Sequence, residues 1–410
     1  MTELRSDANE EILIDHAAWD KIFQITDGAA AACMTCSACT AICPWTEMRG
    51  EGTGIHDLIR GAQLGLDRQP DLLWLCTACG ACESRCPREV DITRVVLGLR
   101  QLAWHKRSTP AGLPSVLWGV LTDGNPWGGL PSERAGWARG LELEPHGPES
   151  EFLYFTGCTN AYDPRAQRSA RSLVEIFRHG GLAFGALGEE EPCCGDPAWS
   201  LGNFSFLEYL VDANVQRFGD AGVRKVVSAS PHSNYLFSRV YPDQGATFTA
   251  AHYTELLAEL VDQERLVFPT GKEGHGVRVA YHDPCYLGRK LGVYEDPRRV
   301  LAAIPGVELV EFAGNRAEAL CCGGGGGRMW QETGAGERFG DLRMAEAQEL
   351  GVDLVVTACP YCVACFEDGV RAVGAGAPGV FDLAELVAYA LADGVASLTR
   401  PDRSAARLTG

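Results

Sequence analysis

A chain of 410 residues with 46% hydrophobic content is long enough for two or three domains with real cores, which excludes a disordered polypeptide. Its formal net charge of −18, with no Lys/Arg-rich run to offset it, gives a surface that repels phosphate backbones and sets nucleic acid aside as a partner. No run of about 18 or more uncharged apolar residues is present, and the start MTELRSDANEE lacks the basic and apolar regions of a signal peptide, so the expectation is a cytoplasmic protein with no membrane span of its own.

The 17 cysteines are odd in number and fall in tight groups, which favours metal ligation over a disulfide framework. The first predicted domain, residues 1–104, carries Cys33-x2-Cys36-x2-Cys39-x3-Cys43-Pro44 and then Cys76-x2-Cys79-x2-Cys82-x3-Cys86-Pro87. Short gaps of this kind wrap three thiolates around one corner of a cubane [4Fe–4S] cluster while the fourth cysteine crosses to the other cluster. One cubane then uses Cys33, Cys36, Cys39 and Cys86, the other Cys76, Cys79, Cys82 and Cys43. A pair of zinc sites would draw on the same C-x2-C pairs, but four cysteines closed by proline, repeated, favour the clusters. Over about residues 30–95 these motifs resemble the bacterial two-cluster ferredoxin domain. The interval between the runs is longer than in a small ferredoxin, and GIHDLIRGAQLGL within it has helical periodicity.

Residues 105–150 are rich in Gly, Pro and Trp and read as a connector with little repeating structure. Its apolar patch LPSVLWGVL is too short for a bilayer and is expected to pack against the module behind it.

From residue 151 the sequence doubles, giving predicted units at 151–272 and 273–410. EFLYFTGC ending at Cys158 parallels VRVAYHDPC ending at Cys285; both are apolar runs that deliver a cysteine at the end of a strand. Helix-like stretches follow (RSARSLVEIFRHGG, PRRVLAAIPGV), then Cys193-Cys194-Gly195 and Cys321-Cys322-Gly323. AGVRKVVSAS parallels LGVDLVVTAC, and HYTELLAEL parallels DLAELVAYAL. The predicted fold class is therefore α/β, with an N-terminal α-helical, ferredoxin-type two-cluster domain and two pseudo-repeated parallel α/β units. In such sheets ligands sit beyond the carboxyl ends of strands, where these cysteines fall.

The second unit holds Cys285, Cys321-Cys322 and Cys359-Pro360-x-Cys362, five thiols from three loops, one more than a tetrahedral zinc site or a cubane uses. This arrangement resembles the CCG domain of the heterodisulfide reductase family. The whole layout resembles the iron–sulfur subunit of heterodisulfide reductase that joins a two-cluster ferredoxin module to two CCG repeats, and its relative in anaerobic glycerol-3-phosphate dehydrogenase. The resemblance implies a non-cubane [4Fe–4S] cluster on Cys285, Cys321, Cys322, Cys359 and Cys362, which in that family handles disulfide or thiol chemistry. The first unit departs from the pattern: Ser230 and Ser233 stand where the second has Cys359 and Cys362, and serine is a poor soft ligand, so no second non-cubane cluster is expected. Cys158, Cys193 and Cys194 with His232 compose a candidate Cys3His zinc site; the alternative is a set of buried thiols without metal.

After Cys322 the run GGGGGRMW lacks the Lys-Ser/Thr of a phosphate loop; Gly323, Gly324 and Gly325 are read as backbone that approaches cluster sulfur. Arg328 would place positive charge near the site, His282 could donate a proton to a sulfur substrate, and Cys365 lies outside the five-thiol pattern. No G-x-G-x-x-G follows a strand, so electrons must come from a partner: a flavoprotein dehydrogenase, electron-transfer flavoprotein, hydrogenase or membrane quinone-reactive subunit that could hold the chain at the inner face of the cytoplasmic membrane. The expected activity is an oxidoreductase subunit passing single electrons between two cubanes and a non-cubane cluster, acting on a disulfide or thiol or relaying toward quinone. The alternatives are the iron–sulfur subunit of a glycerol-3-phosphate or hydroxy-acid flavoprotein dehydrogenase, and a non-enzymatic redox sensor or scaffold.

Overall fold

Phe152–Phe155 and Val277–His282 are short apolar runs, and each becomes an inner strand of its own sheet because burial on both faces suits a continuous apolar segment. The structure, a computed structural model, describes residues 16–49, 54–65, 72–269, 276–334, 336–395 and 398. The first sheet has the order β2-β1-β3-β4, built from Phe152–Phe155 (β1), Phe184–Gly185 (β2), Lys225–Ser228 (β3) and Thr249–His252 (β4). The second repeats it as β6-β5-β7-β8, from Val277–His282 (β5), Val307–Val310 (β6), Leu354–Thr357 (β7) and Gly379–Asp382 (β8). Every pairing is parallel, with Leu153 opposite Val226 in one sheet and Ala280 opposite Val355 in the other. The predicted α/β repeat is what forms.

Parallel strands require crossovers, and the paired stretches noted in the sequence supply helices Gln167–His179 and Glu295–Ala303 between the first two strands of each sheet, while Tyr253–Asp262 and Leu383–Ala392 follow the last strand of each. Tyr253–Asp262 and Leu383–Ala392 begin with matching capping boxes, His252 with Glu255 and Asp382 with Glu385, which fix the same helix start in both units. One apolar core runs through both units and includes Tyr154, Phe177, Tyr281 and Val356. Across that seam Arg165 binds Glu367 and Glu385, and the Tyr253 hydroxyl donates to Asp382 at 2.8 Å. The units are one body.

The N-terminal module is helical. GIHDLIRGAQLGL yields helix Ile55–Gln63, whose Ile55, Leu58, Ile59 and Ala62 are buried at the predicted spacing. Helix Ile92–His105, capped by Asp91, buries Val95, Val96 and Ala103 and leads out of the module. The connector departs from expectation, because LPSVLWGVL forms helix Leu113–Asp123: its proline occupies the first turn, where a missing N–H costs nothing. Leu113, Val116, Leu117 and Val120 pack inward as expected, while Trp118 and Leu121 face outward. Among the described residues no helix is long and apolar enough to cross a membrane.

Candidate metal centres

Three groups of cysteine are joined end to end, beginning with the N-terminal loops. In Cys33–Cys39 the backbone turns left-handed at Thr35 and Ser37, and in Cys76–Cys82 at Ala78 and Gly80. Left-handed conformation at a residue other than glycine costs on the order of 1–3 kcal/mol and concentrates at functional loops. Here it curls three thiols toward one point and aims amides at sulfur: Thr35 N–H reaches Cys33 Sγ and Ala78 N–H reaches Cys76 Sγ, both at 3.4 Å. Cys33, Cys36, Cys39 and Cys86 line one cavity; Cys43, Cys76, Cys79 and Cys82 line the other. These are the two sets grouped from the sequence. They differ in depth, since Cys36 is exposed whereas Cys79 is buried, and burial followed by the neighbouring Cys76 pushes the Cys43 thiol up to about 12.

The deeper cavity abuts the second α/β unit. The Cys79 thiol hydrogen-bonds to Cys321, and Cys321 Sγ also lies 3.6 Å from the Thr77 hydroxyl. A Cβ on Gly325 would stand 2.5 Å from the Thr77 carbonyl oxygen, and one on Gly326, at φ +60°, 2.3 Å from that of Cys76. Arg100, wholly buried, donates to the carbonyls of Leu73, Cys76, Ser200 and Gly326 and so ties the helical module to both units. Lys290 bonds Glu83 at 2.7 Å and Thr93 at 2.8 Å across the same junction.

In the second unit Cys285 and Cys359 follow the ends of β5 and β7 by three and two residues, and the loop after β6 brings Cys321 and Cys322. Hydrogen bonds link the sulfurs in the order Cys285, Cys321, Cys322, Cys362, Cys359, so all five expected thiols meet. Cys365 hydrogen-bonds to Cys322 and forms a sixth member that the motif does not include. Burial raises Cys359, but bonds from Cys362 and His232 outweigh it and bring that thiol down to about 5. Gly323 N–H points to Cys321 Sγ at 3.4 Å. Gly324 packs against Met329, Cys365 and Tyr361, and Gly325 against the N-terminal module.

Two expected participants behave differently. Arg328 donates to Gln331, the Glu332 carbonyl and Thr333 and lies over the Trp45 ring, so its charge is not directed at the thiols. His282 is buried edge-on against Phe366 with no hydrogen-bond partner on either ring nitrogen, and burial, reinforced by Arg343 and Arg289, pushes its pKa well below the usual histidine range. A neutral, enclosed imidazole is a poor proton donor.

The first unit gathers Cys158, Cys193 and Cys194 in the corresponding place, with Ser233 Oγ 3.2 Å from Cys194 Sγ. Hydrogen bonding from Cys193 and then the Arg134 guanidinium, 3.5 Å away, offset burial and bring Cys158 down to about 7. Arg134 comes from the connector, is itself buried, and pairs with Glu191 at 3.1 Å. His232 lines one cavity with Cys158, Cys193 and Cys194, the four residues grouped from the sequence. Its Nδ1 is engaged with Asp196 of the same unit at 3.0 Å, and its ring stacks on Tyr286 of the second unit at 3.9 Å and faces Cys359, so the loop that carries Ser230 and Ser233 sets its histidine between the two units. Among the described residues no three His, Cys, Asp or Glu side chains are placed to hold a single metal ion. Thiolates that would each hold a different iron do not need to converge on one point.

The donor set fits iron–sulfur clusters. Soft thiols are grouped by four and by five, amides point at sulfur, and Arg100, buried, and Arg289, partly buried, carry positive charge beside the sulfurs without a carboxylate partner among the described residues. Sequence reading missed Arg100, Arg134, Asp196 and Arg289. Of these Asp196, two residues after Cys194, and Arg289, four residues after Cys285, stood close enough to a motif to be noticed.

Fold and site together define an iron–sulfur protein. The family model described as a 4Fe-4S dicluster domain matches residues 29–90, and the one described as a cysteine-rich domain, CCG, matches twice, at 152–235 and 279–367. The chain belongs to the iron–sulfur proteins that join such a dicluster domain to two CCG domains, as the resemblance to heterodisulfide reductase implied. It is 36% identical over 333 residues to the EtfAB:quinone oxidoreductase of Syntrophomonas wolfei, covering 77% of this chain and 46% of that protein. It is 33% identical over 352 residues to the probable iron-sulfur-binding oxidoreductase FadF of Bacillus subtilis, covering 80% and 49%. With one subunit of the dihydromethanophenazine:CoB–CoM heterodisulfide reductase of Methanosarcina barkeri it shares 28% identity over 393 residues, covering 88% and 93%. The chain thus spans about half the length of the first two relatives.

Proposed function

We propose that the chain is an electron-carrying subunit of an oxidoreductase complex, with the exposed Cys33–Cys86 group as its outer contact and the five thiols of the second unit as its inner terminus. The contact of Cys79 with Cys321 carries this reading, because it leaves no protein layer between the helical module and the second unit. Cys33, Cys36, Cys39 and Cys86 would hold one cubane, Cys43, Cys76, Cys79 and Cys82 another, and Cys285, Cys321, Cys322, Cys359 and Cys362 a non-cubane cluster. Bound there, the clusters would supply one-electron transfer. The protein's own residues exclude water from the inner groups, donate amides to sulfur at Ala78 and Gly323, and fix positive charge at Arg100 and Arg289.

The relative named as an EtfAB:quinone oxidoreductase supports an electron-transfer flavoprotein as one partner and a quinone-linked subunit as the other. None of the five inner thiols is more than 6% exposed, which favours relay over direct attack on a bulky disulfide. Thiol or disulfide chemistry is the second reading, supported by the heterodisulfide reductase relatives. Mixing the anaerobically purified protein with dithionite-reduced electron-transfer flavoprotein should bleach its visible absorbance, and a water-soluble ubiquinone analogue should restore it only when a quinone-linked subunit is present. Restoration by an aliphatic disulfide alone would favour the second reading; no bleaching would refute the flavoprotein partner.

A further inference from the structure

Arg289 occupies the boundary between the two inner sulfur groups. It belongs to the π-helix Tyr286–Lys290 that starts directly after Cys285, and such turns re-aim side chains at functional sites. Its Nε donates to the Cys79 carbonyl at 2.8 Å, and Nη1 to the carbonyls of Ala317 and Ala319 at 3.2 and 2.7 Å. Nη2 is buried and has no hydrogen-bond partner. The sulfur groups that act on it are those of Cys79, Cys285 and Cys321, one from the helical module and two from the second unit.

Arg289 is partly buried, and its unpartnered Nη2 is shut off from water, a placement that an anion nearby would favour. Arg134 pairs with Glu191 and Arg298 is bidentate to Asp283, whereas Arg289, like Arg100, donates only to carbonyls among the described residues. Arg289 has no carboxylate ion pair among the described residues, so the anion it compensates must be the sulfur groups themselves, and it adjoins both.

We infer that Arg289 is a positioning residue that holds the two inner iron–sulfur centres electrostatically, raising the reduction potential of both and bracing the Cys79–Cys321 contact between them. This rests on the cluster assignment proposed above. A fixed positive charge stabilises the more negative, reduced state of any centre beside it, and two centres that share one charge should respond together. Lys290, the next residue, serves a different end, since its ammonium is neutralised by Glu83.

EPR-monitored redox titration of wild type, Arg289→Met, Arg289→Lys and Lys290→Met, each with iron per chain measured, tests the inference. Both inner midpoints are expected to move to more negative potential in Arg289→Met and less far in Arg289→Lys, whereas the outer centre and Lys290→Met stay near wild type. Inner midpoints equal to wild type in Arg289→Met, with iron retained, would overturn it. If Arg289→Met loses iron, Arg289→Lys decides: a negative shift of both inner midpoints supports the inference, and unchanged midpoints overturn it. Wild type without three EPR-distinct centres would instead defeat the cluster assignment, which separates the two failures.

Discussion

Removing the Arg100 guanidinium should loosen the helical module from both α/β units at once. Its bonds to Leu73, at 3.0 and 2.7 Å, and to Cys76, at 2.6 Å, stay within the module, whereas those to Ser200 and to Gly326, the latter at 3.0 Å, cross into the first and second units. Hydrogen bonds from a charged donor contribute about 1.5–3 kcal/mol each, so the two crossing bonds are worth on the order of 3–6 kcal/mol. Burial works against the ion and lowers its pKa to about 10, which places the net loss near the lower end of that range. Arg100→Met keeps an apolar stem but removes every donor and the guanidinium that lies over the Trp74 ring. By the usual scaling, with an unfolding entropy of about 0.9 kcal/mol/K for a chain of this length, the anaerobic thermal midpoint should fall about 3–4 °C, with faster amide exchange along Ile92–His105. An unchanged midpoint together with unchanged exchange would refute the claim that this residue is the tie.

At Gly326 the Cys76 carbonyl lies where a side chain would begin, so Gly326→Val should push the modules apart and slow electron transfer between the inner centres by at least tenfold in flash-reduction kinetics; a wild-type rate would refute the close-approach argument. Asp382 is a pH prediction. Burial and then Glu385 push its carboxyl up to about 7 from an ordinary 3.8, so the folded state holds the proton more tightly, and its contribution to stability is full below about pH 4 and declines as pH rises to 7. Asp382→Asn keeps a capping oxygen and cannot ionise, and it should gain about 2–3 kcal/mol on wild type between pH 5 and pH 8 in denaturant melts. Parallel pH dependence in the two proteins would contradict that assignment.

Much of the fold was legible because it is built from short-range signals. Apolar runs such as FLYF and LVVT have the length and composition of buried strands, and the doubled cysteine spacing marked both the repeat and the loops at strand ends. Helix Leu113–Asp123 was hidden because glycine and proline were read as breakers, although the proline sits at the one position a helix tolerates. The thiol groups could be counted from sequence, but the partners that bind across units could not. His232 reads locally as a fourth ligand for its own unit and does line the cavity of those three cysteines with Asp196, but the packing of its loop, after β3, against the second unit also sets it beside Cys359, which no local signal shows. Arg134 and Arg100 have no motif at all; each matters because a chain segment from elsewhere stops beside a sulfur.

The most direct measurement is iron per chain in anaerobically purified protein, taken together with the same count for Cys322→Ser. The account predicts about twelve irons in wild type and about eight in the variant, since Cys322 belongs to the inner group alone and the first unit holds no cluster. About eight irons in both proteins would mean that the five gathered thiols hold no cluster, and the proposed line of three centres would be wrong.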